Sequence, residues 1–270
     1  MGNNLTQARD AHKRKDRRVL EQKVHVARGT GVLALPSLKL KTLPREVFEL
    51  STLRALDVTG NKLSDLGTEV SALGNLKTLK VGLNMLETMP DLSTLEALTT
   101  LILEGNVLKE LPNALPPHLT KLSLKGNQFS AIPCTVLELS CLQELNVSDN
   151  FVSTLPTNWE NMHALEELNV DKNKLSELPA ALAACTKLKV ISARYNLIGS
   201  SKGPKGQAIA AELLGETSVV QILNLEGNPL TKEELQQMEG FDAFFARRTK
   251  LKNKELHGGL HSDMSLCGLE

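Results

Sequence analysis

The sequence predicts an α/β solenoid of about nine coils, with a curved parallel β-sheet on the concave face and short helices or 3-10 turns on the convex face. Eight asparagines recur in steps of 21 to 23 residues, except for a last step of 32 residues, at Asn61, Asn84, Asn106, Asn127, Asn150, Asn173, Asn196 and Asn228. Each lies three residues after an aliphatic residue or alanine and two residues before an aliphatic residue or phenylalanine. A fixed period of this length is the signature of stacked structural repeats.

Each coil is predicted to begin with a short strand. In the frame that opens at Leu53, one outward residue separates the inward Leu56 and Val58, which is strand alternation. Asn61 then carries a donor and an acceptor, and we expect it to satisfy backbone groups that are buried where the chain leaves the sheet. Nine frames open in this way, at Thr30, Leu53, Leu76, Leu98, Leu119, Leu142, Leu165, Leu188 and Val220, and the first has Leu38 in place of the asparagine.

The second half of each coil is predicted to be short and partly helical. Proline often starts it, because a fixed φ and a missing donor suit the first turn of a helix. Residues 45–50 are predicted to form one or two helical turns, whereas the shorter coils between residues 90 and 127 have room only for tighter turns. An insertion rich in Gly, Ser and Lys at 199–206 is either a tolerated surface loop or a binding loop, and a helix is predicted at 208–214.

Both ends of a stack need a cover. Residues 1–29 are predicted to be a basic N-terminal segment and cap helix, with Leu20, Val24 and Ala27 facing the first coil. The coils occupy residues 30–230, and a capping box of Thr231 and Glu234 opens a C-terminal cap helix over 231–248. Its core residues are expected to be Leu235, Met238, Phe241, Phe244 and Phe245. Residues 249–270 lose apolar periodicity and are predicted to be a flexible tail.

Composition favours a reducing, cytoplasmic location. The N-terminus lacks the apolar region of a secretory signal, and no apolar run reaches the roughly 18 residues of a membrane span. The four cysteines do not cluster at the ends of the repeats, so free thiols are expected, with Cys134 and Cys185 buried. Cys267 is fourth from the end, but the following Gly268 and the terminal Glu270 argue against prenylation.

The N-terminus carries a predicted lipid anchor. Met1 to Thr6 fits the pattern M-G-x-x-x-[ST], which predicts myristoylation of Gly2. One acyl chain binds membranes only marginally, and a basic stretch adds about 1 kcal/mol per residue near an anionic surface. That stretch consists of Lys13, Arg14, Lys15, Arg17 and Arg18. We therefore expect attachment to the cytoplasmic face of a membrane; the alternative is a solvated basic segment with an incidental Gly2.

The sequence indicates neither an enzyme nor a nucleic-acid binder. It lacks the phosphate-loop, zinc-protease and nucleophile-elbow motifs, and its six histidines are scattered. We therefore predict no catalytic residues, cofactor or metal. The basic stretch has no interleaved aromatic residues, which argues against nucleic acid.

The concave face is the predicted binding surface for a protein partner, in a protein expected to be a monomer. Lysines and acidic residues are predicted to form neighbouring basic and acidic zones there, which suit partner steering, although ordinary solvated charge is the alternative. Arg194 and Tyr195 are the favoured anchors, because Arg and Tyr are enriched in binding hot spots. The candidate residues are Lys80, Lys121, Lys125, Glu144, Asn146, Glu167, Asn169, Asp171, Arg194 and Tyr195.

The complete pattern, L-x-x-L-x-L-x-x-N-x-L-x-x-L-P, resembles short intracellular leucine-rich repeat proteins of the 23-residue class, which include Ras-pathway scaffolds and their plant relatives. The resemblance covers about residues 30–248. It implies a leucine-rich repeat solenoid that acts as a non-catalytic interaction scaffold or adaptor in intracellular signalling. A soluble regulatory subunit of an enzyme such as a protein phosphatase is the alternative, although the phosphatase regulator has mostly 22-residue repeats, which this chain does not sustain.

Overall fold

The computed structural model describes residues 18–199, 208–257 and 267–269. The chain divides into two compact units, Met1–His118 and Leu119–Glu270. Each unit contains a set of three-residue parallel strands that pair in chain order, with one strand per coil.

The first unit begins with helix α1 over residues 18–30. Its strands are β1 (Val32–Ala34), β2 (Ala55–Asp57), β3 (Thr78–Lys80) and β4 (Thr100–Ile102). They pair in register, so that Leu33, Leu56, Leu79 and Leu101 are neighbours across the sheet. Helix α2 (Arg45–Phe48) and a 3-10 helix (Thr68–Ala72) return the chain in the first two coils.

The second unit contains β5 (Lys121–Ser123), β6 (Glu144–Asn146), β7 (Glu167–Asn169), β8 (Val190–Ser192) and β9 (Ile222–Asn224). These strands are also parallel and in register. The connections include 3-10 helices at Cys134–Glu138 and Ala180–Ala184 and helix α3 (Ala211–Leu214), and the unit ends with α4 (Lys232–Gln236) and α5 (Phe241–His257). Nine strands with short helical returns confirm the predicted repeat architecture in the described residues.

The interior is a stack of aliphatic layers. Leu56 and Val58 are fully or almost fully buried, and the equivalent pair Leu145 and Val147 is buried in the second unit. Burial of one such side chain contributes about 1.5–3 kcal/mol. Because a single coil cannot enclose its own apolar face, these residues are buried only when neighbouring coils stack.

The asparagines form the predicted ladder. Asn150 donates through Nδ2 to the carbonyls of Leu124 and Val147, each at 3.0 Å, and its Oδ1 accepts from the Phe129 N–H at 3.0 Å. Asn84 makes the same contacts in the first unit. Each asparagine therefore joins its own turn to that of the preceding coil. In the first coil, where Leu38 replaces the asparagine, Asn61 Oδ1 accepts from the N–H groups of Leu38 and Leu40.

The N-terminal cap agrees with the prediction. Val24 and Ala27 of α1 are buried and Leu20 is half-buried. Lys23 Nζ also donates to the Ala34 carbonyl at 2.7 Å, which ties α1 to the last residue of β1.

The C-terminal cap agrees only in part. Thr231 and Glu234 form the predicted capping box. Leu235, Met238, Phe241 and Phe244 are buried, but Phe245 is 49% exposed and stacks on Phe241 instead of entering the core. The helix predicted at 208–214 begins only at Ala211, because Ile209 is extended and forms a β-bridge with Leu178.

The predicted flexible tail over 249–270 is wrong for the described residues. Helix α5 continues to His257, because Lys, Leu and Glu sustain a helix without an apolar stripe. Cys267 and Leu269 are buried, and the Leu225 N–H donates to the Cys267 carbonyl at 2.8 Å. Cys134, predicted to be buried, is exposed at the start of its 3-10 helix, whereas Cys185 is buried and burial raises its pKa to about 12.

Candidate functional site

The candidate surface of the second unit is the side of its sheet that faces away from the aliphatic layers, here called the open face. Three rows of side chains cross it from β5 to β9. The first row is Lys121, Glu144, Glu167, Val190 and Ile222, and the middle row is Ser123, Asn146, Asn169, Ser192 and Asn224. The third row follows two residues later, as Lys125, Ser148, Asp171, Arg194 and Glu226.

The two asparagines of the middle row are held in one orientation. Asn146 Oδ1 accepts from the backbone N–H of Ser148 at 3.0 Å and from its hydroxyl at 2.7 Å. Asn169 Oδ1 accepts from the Asp171 N–H at 3.0 Å. The Oδ1 atom of each asparagine thus already accepts a hydrogen bond. No described protein group accepts from either Nδ2 atom. The half-buried pair therefore offers hydrogen-bond donors to a ligand.

Ion pairs cross the strands and join the predicted basic and acidic zones. Lys121 pairs with Glu144 on the next strand. Lys189 Nζ lies 2.8 Å from Glu166 Oε2, and this hydrogen bond, with the lysine charge, lowers the pKa of Glu166. Lys121 and Glu144 therefore meet where the predicted basic and acidic zones adjoin, and each ion pair partly neutralises the charge of its two members.

Asp171 lies at the centre of a polar cluster with Ser192 and Arg194. Its carboxylate accepts from the Ser192 hydroxyl at 2.7 Å, the Arg194 N–H at 2.8 Å and the Arg194 Nε–H at 3.0 Å. With only 8% exposure, Asp171 has little surface for a partner. Its predicted role as a contact residue is therefore replaced by a positioning role for Arg194, which is half-buried.

Tyr195 has a strained backbone and an anchored ring. Its φ is +53°, in the left-handed region that costs a non-glycine residue energy. The ring lies against Gly227, where an added Cβ would come within 2.4 Å of the Tyr195 Cδ1. The hydroxyl donates to Glu226 Oε1 at 2.7 Å, and this bond, followed by the charge of Glu226, raises the pKa of Tyr195. Tyr195 remains 49% exposed, so an oriented aromatic ring is available at the edge of the open face.

Sequence reasoning did not identify Glu226 and Gly227 as site residues. Two signals were present: Glu226 has the same place in its coil as Arg194, and Gly227 has the same place as Tyr195. Residues at equivalent places in successive coils are neighbours, so each pair should be in contact.

The remaining candidates lie elsewhere. Lys80 belongs to the first unit, where it is exposed between Asp57 and Ile102 of the neighbouring strands. Arg18 is exposed on α1, whereas the predicted lipidation site Gly2 and the basic residues Lys13, Arg14, Lys15 and Arg17 lie outside the described residues.

The described residues offer neither a metal site nor a membrane-spanning helix. They contain no group of three or more His, Cys, Asp or Glu side chains arranged to hold a metal ion. In the same part of the chain, no helix combines the length and apolarity that crossing a membrane requires.

Comparisons with known proteins identify the fold. Residues 51–108 and 117–175 match the leucine rich repeat family. A solved leucine-rich repeat protein of Leptospira interrogans is 24% identical, with a TM-score of 0.57, and the match covers 75% of this chain and 62% of that one. This likeness shows the fold alone. Together with the parallel strands, it establishes a leucine-rich repeat fold.

Two curated relatives are similar over shorter stretches. Plant intracellular Ras-group-related LRR protein 7 of Oryza sativa subsp. japonica is 39% identical over 64 residues, which is 23% of this chain and 24% of the relative. PH domain leucine-rich repeat-containing protein phosphatase 1 of Mus musculus is 32% identical over 104 residues, which is 37% of this chain and 6% of that protein. The similarity thus spans a quarter or less of the length of either relative.

Proposed function

We propose that this leucine-rich repeat protein is a non-catalytic interaction scaffold whose second unit binds a protein partner through the open face. The main support is that polar side chains on this face are held by one another before any partner arrives: Asn146 by Ser148, and Arg194 by Asp171. A preorganised surface loses less side-chain entropy on binding, which favours affinity.

The exposed charges on this face can orient the partner. Lys125 and Glu167 are exposed, and neither has an ion-pair partner among the described residues. Complementary charges across an interface raise association rates and suppress wrong partners. A partner with opposite charges at matching positions would therefore be selected over one without them.

Affinity purification from the cells that express the protein tests this function. Glu167→Lys should abolish or strongly reduce capture of the partner, measured by quantitative mass spectrometry, since it reverses an exposed charge without removing a contact. Glu87→Lys, the same charge reversal at an exposed position in the first unit, is the matched control. Undiminished capture by both Glu167→Lys and Lys125→Glu would rule out the open face. Asp171→Lys is unsuitable because it would disrupt the cluster around Arg194.

We also propose action in intracellular signalling, at the cytoplasmic face of a membrane. The similarity to the Ras-group-related protein of rice supports a Ras-related setting. The finer resemblance is to leucine-rich repeat-containing protein 57, and it rests on the Met-Gly-Asn start, the entry into the first coil at Thr30 and the last-coil sequence that ends at Asn228.

The membrane proposal rests on the acylation pattern at Gly2 and the basic residues that follow. Mass spectrometry of the mature N-terminus should find a myristoyl group on Gly2. Gly2→Ala should move the protein from the membrane fraction to the soluble fraction in flotation. An unacylated Gly2 would refute the anchor, and so would an equal membrane-bound fraction for the wild type and Gly2→Ala.

A regulatory subunit of a protein phosphatase is the second candidate. The 104-residue match to a phosphatase with leucine-rich repeats favours it. It predicts that a phosphatase co-purifies with this chain and that its rate on a phosphopeptide changes when the chain is added. The scaffold proposal predicts binding without that change in rate.

A further inference from the structure

We infer that the open face of the second unit binds an extended peptide segment with an acidic side chain and a basic side chain four residues apart. The inference rests on the proposed function, since it specifies the chemistry of the partner at the same surface. It comes from the positions of four residues: Lys125, Asn146, Asn169 and Glu167.

Lys125, Asn146 and Glu167 lie on one diagonal of the open face. Ser123 pairs with Asn146, and Glu144 pairs with Glu167, so that one step along the diagonal moves one strand across and two residues back. The bond from Gly126 N–H to the Ser148 carbonyl keeps the same register as far as Lys125. With strands about 4.8 Å apart and residues about 3.3 Å apart, the diagonal from Lys125 to Glu167 is about 16 Å long.

One of the two amides lies on this diagonal and the other lies beside it. From the same spacings, Asn169 lies about 4 Å to one side of the diagonal and about 3 Å further along it than Asn146. Successive carbonyls of an extended chain point to opposite sides and are about 3.3 Å apart along the chain. A segment that runs parallel to the diagonal, displaced about 2 Å toward Asn169, has one amide on each side, so Asn146 and Asn169 can donate to its successive carbonyls.

The surroundings favour a neutral acceptor over an anion. Glu144 and Asp171 are already paired with Lys121 and Arg194, whereas Glu167 lies beside the two amides with its charge unpaired among the described residues, and that negative charge disfavours a phosphate or carboxylate there. Backbone carbonyls carry no net charge and accept from amides without this repulsion. Hydrogen bonds from the two amides to backbone carbonyls do not depend on the amino-acid sequence of the bound peptide.

Charge selects the sequence of the segment. An acidic side chain pairs with Lys125 and a basic one with Glu167, both of which are exposed. Side chains that face the sheet recur every second residue, so residues i and i+4 share a face and are about 13 Å apart. Long side chains such as Glu and Lys span the remaining distance. Residue i+2 would lie over Asn146 and should be small, which gives the pattern Glu-x-Gly-x-Lys.

A defined peptide tests the inference on the full chain. The probe is acetyl-Ser-Glu-Ser-Gly-Ser-Lys-Ser-amide, titrated into isotope-labelled protein while the side-chain amide signals of Asn146 and Asn169 are followed by NMR. Both signals should shift. Lys125→Glu should weaken binding about tenfold, the equivalent of 1.4 kcal/mol, and Asn146→Ser about fivefold for one hydrogen bond. Lys62→Glu, with a matched change in charge, should leave the affinity unchanged.

Two control peptides complete the test. A peptide with Gln in place of both charged residues, and one with Glu and Lys adjacent, should each bind at least about fivefold more weakly. Equal affinity for the adjacent-charge peptide, no shift of either amide signal, or insensitivity to Lys125→Glu would overturn the inference. If a cellular partner still requires Glu167 in that case, the scaffold function stands and only the extended segment is refuted.

Discussion

The first and second units have the same interior but present different side chains on their sheets. Asn84 and Asn150 make matching ladder bonds within their own units. The middle row of β2 to β4 is Asp57, Lys80 and Ile102, which mixes charged and aliphatic residues, whereas the five members of the middle row in the second unit are neutral and polar. The requirements of stacking therefore constrain the inward positions of every coil, while the outward positions are free to vary with function.

The largest expected effect tests the shared interior. Asn84→Leu and Asn150→Leu should each lower the free energy of unfolding by about 3–5 kcal/mol, because each leaves several buried backbone groups without a partner. Urea unfolding followed by circular dichroism measures the loss. Asn113→Leu, at an exposed position, should change stability by no more than about 0.5 kcal/mol. A loss below about 1 kcal/mol in only one unit would mean that the two interiors are not equivalent.

Substitution of the glycine that precedes a ladder asparagine should destabilise the two units by different amounts. Gly105→Ala and Gly227→Ala both place a Cβ at positive φ, against Leu83 and Tyr195 respectively. Leu83 is flexible and 63% exposed, so it can move, whereas the Tyr195 ring is anchored by Glu226. We expect a cost of about 1–2 kcal/mol for Gly105→Ala and about 2–4 kcal/mol for Gly227→Ala.

Gly74→Ala is the control for this pair, because no atom lies within 4 Å of its added Cβ and its φ is not positive. Thermal unfolding should place its midpoint close to that of the wild type. Equal costs for Gly105→Ala and Gly227→Ala would show that the anchored ring adds no constraint. Tyr195→Ala should then fail to rescue Gly227→Ala, whereas we expect partial rescue.

Substitution of two outward-facing aspartates, Asp171 in the second unit and Asp57 in the first, should also lower stability by different amounts. Asp171→Ala removes a buried acceptor of three hydrogen bonds and should cost about 2 kcal/mol, after allowance for the half-exposed Arg194. Asp57→Ala removes one bond, from the Thr59 N–H, and should cost about 0.5–1 kcal/mol. Chemical denaturation of both variants under the same buffer checks the ranking, and a reversed order would contradict the structural role given to Asp171.

The smallest effect is a titration. The protein has one tyrosine, so ultraviolet absorbance near the tyrosinate band reports Tyr195 alone. Its pKa is raised above the ordinary value of 10.0 by the bond to Glu226. The bond therefore contributes its full stability below pH 10 and loses it as pH rises through the raised pKa of the folded state. Glu226→Gln should return the titration towards 10.0; an unshifted wild-type curve would exclude the bond in solution. Leu83, at the equivalent place in the first unit, has no ionisable group.

Particular residues show where sequence reasoning succeeded and where it did not. The ladder asparagines and inward leucines were predicted because they recur at the same places in every coil. Cys134 and Cys185 both lie on the convex side of their coils, yet only Cys185 is buried. Their difference depends on whether each begins or follows a 3-10 helix, Cys134–Glu138 or Ala180–Ala184, which composition does not reveal. Phe245 was placed in the core by helical spacing, but its neighbour Phe244 already fills the space beneath the helix.

The sequence by itself determined the repeat, the inward face of each strand, the asparagine ladder and the capping box at Thr231, because these depend on spacings of two, three or about 23 residues along the chain. Only the tertiary structure decided which outward charges, and which backbone groups far apart in the chain, meet. Lys121 pairs with Glu144, Arg194 with Asp171, and the Cys267 carbonyl with the Leu225 N–H. The physical reason is that these contacts join residues 23 or more positions apart, so they exist only after the coils stack in register. That register also sets the diagonal from Lys125 to Glu167, on which the inferred peptide specificity depends.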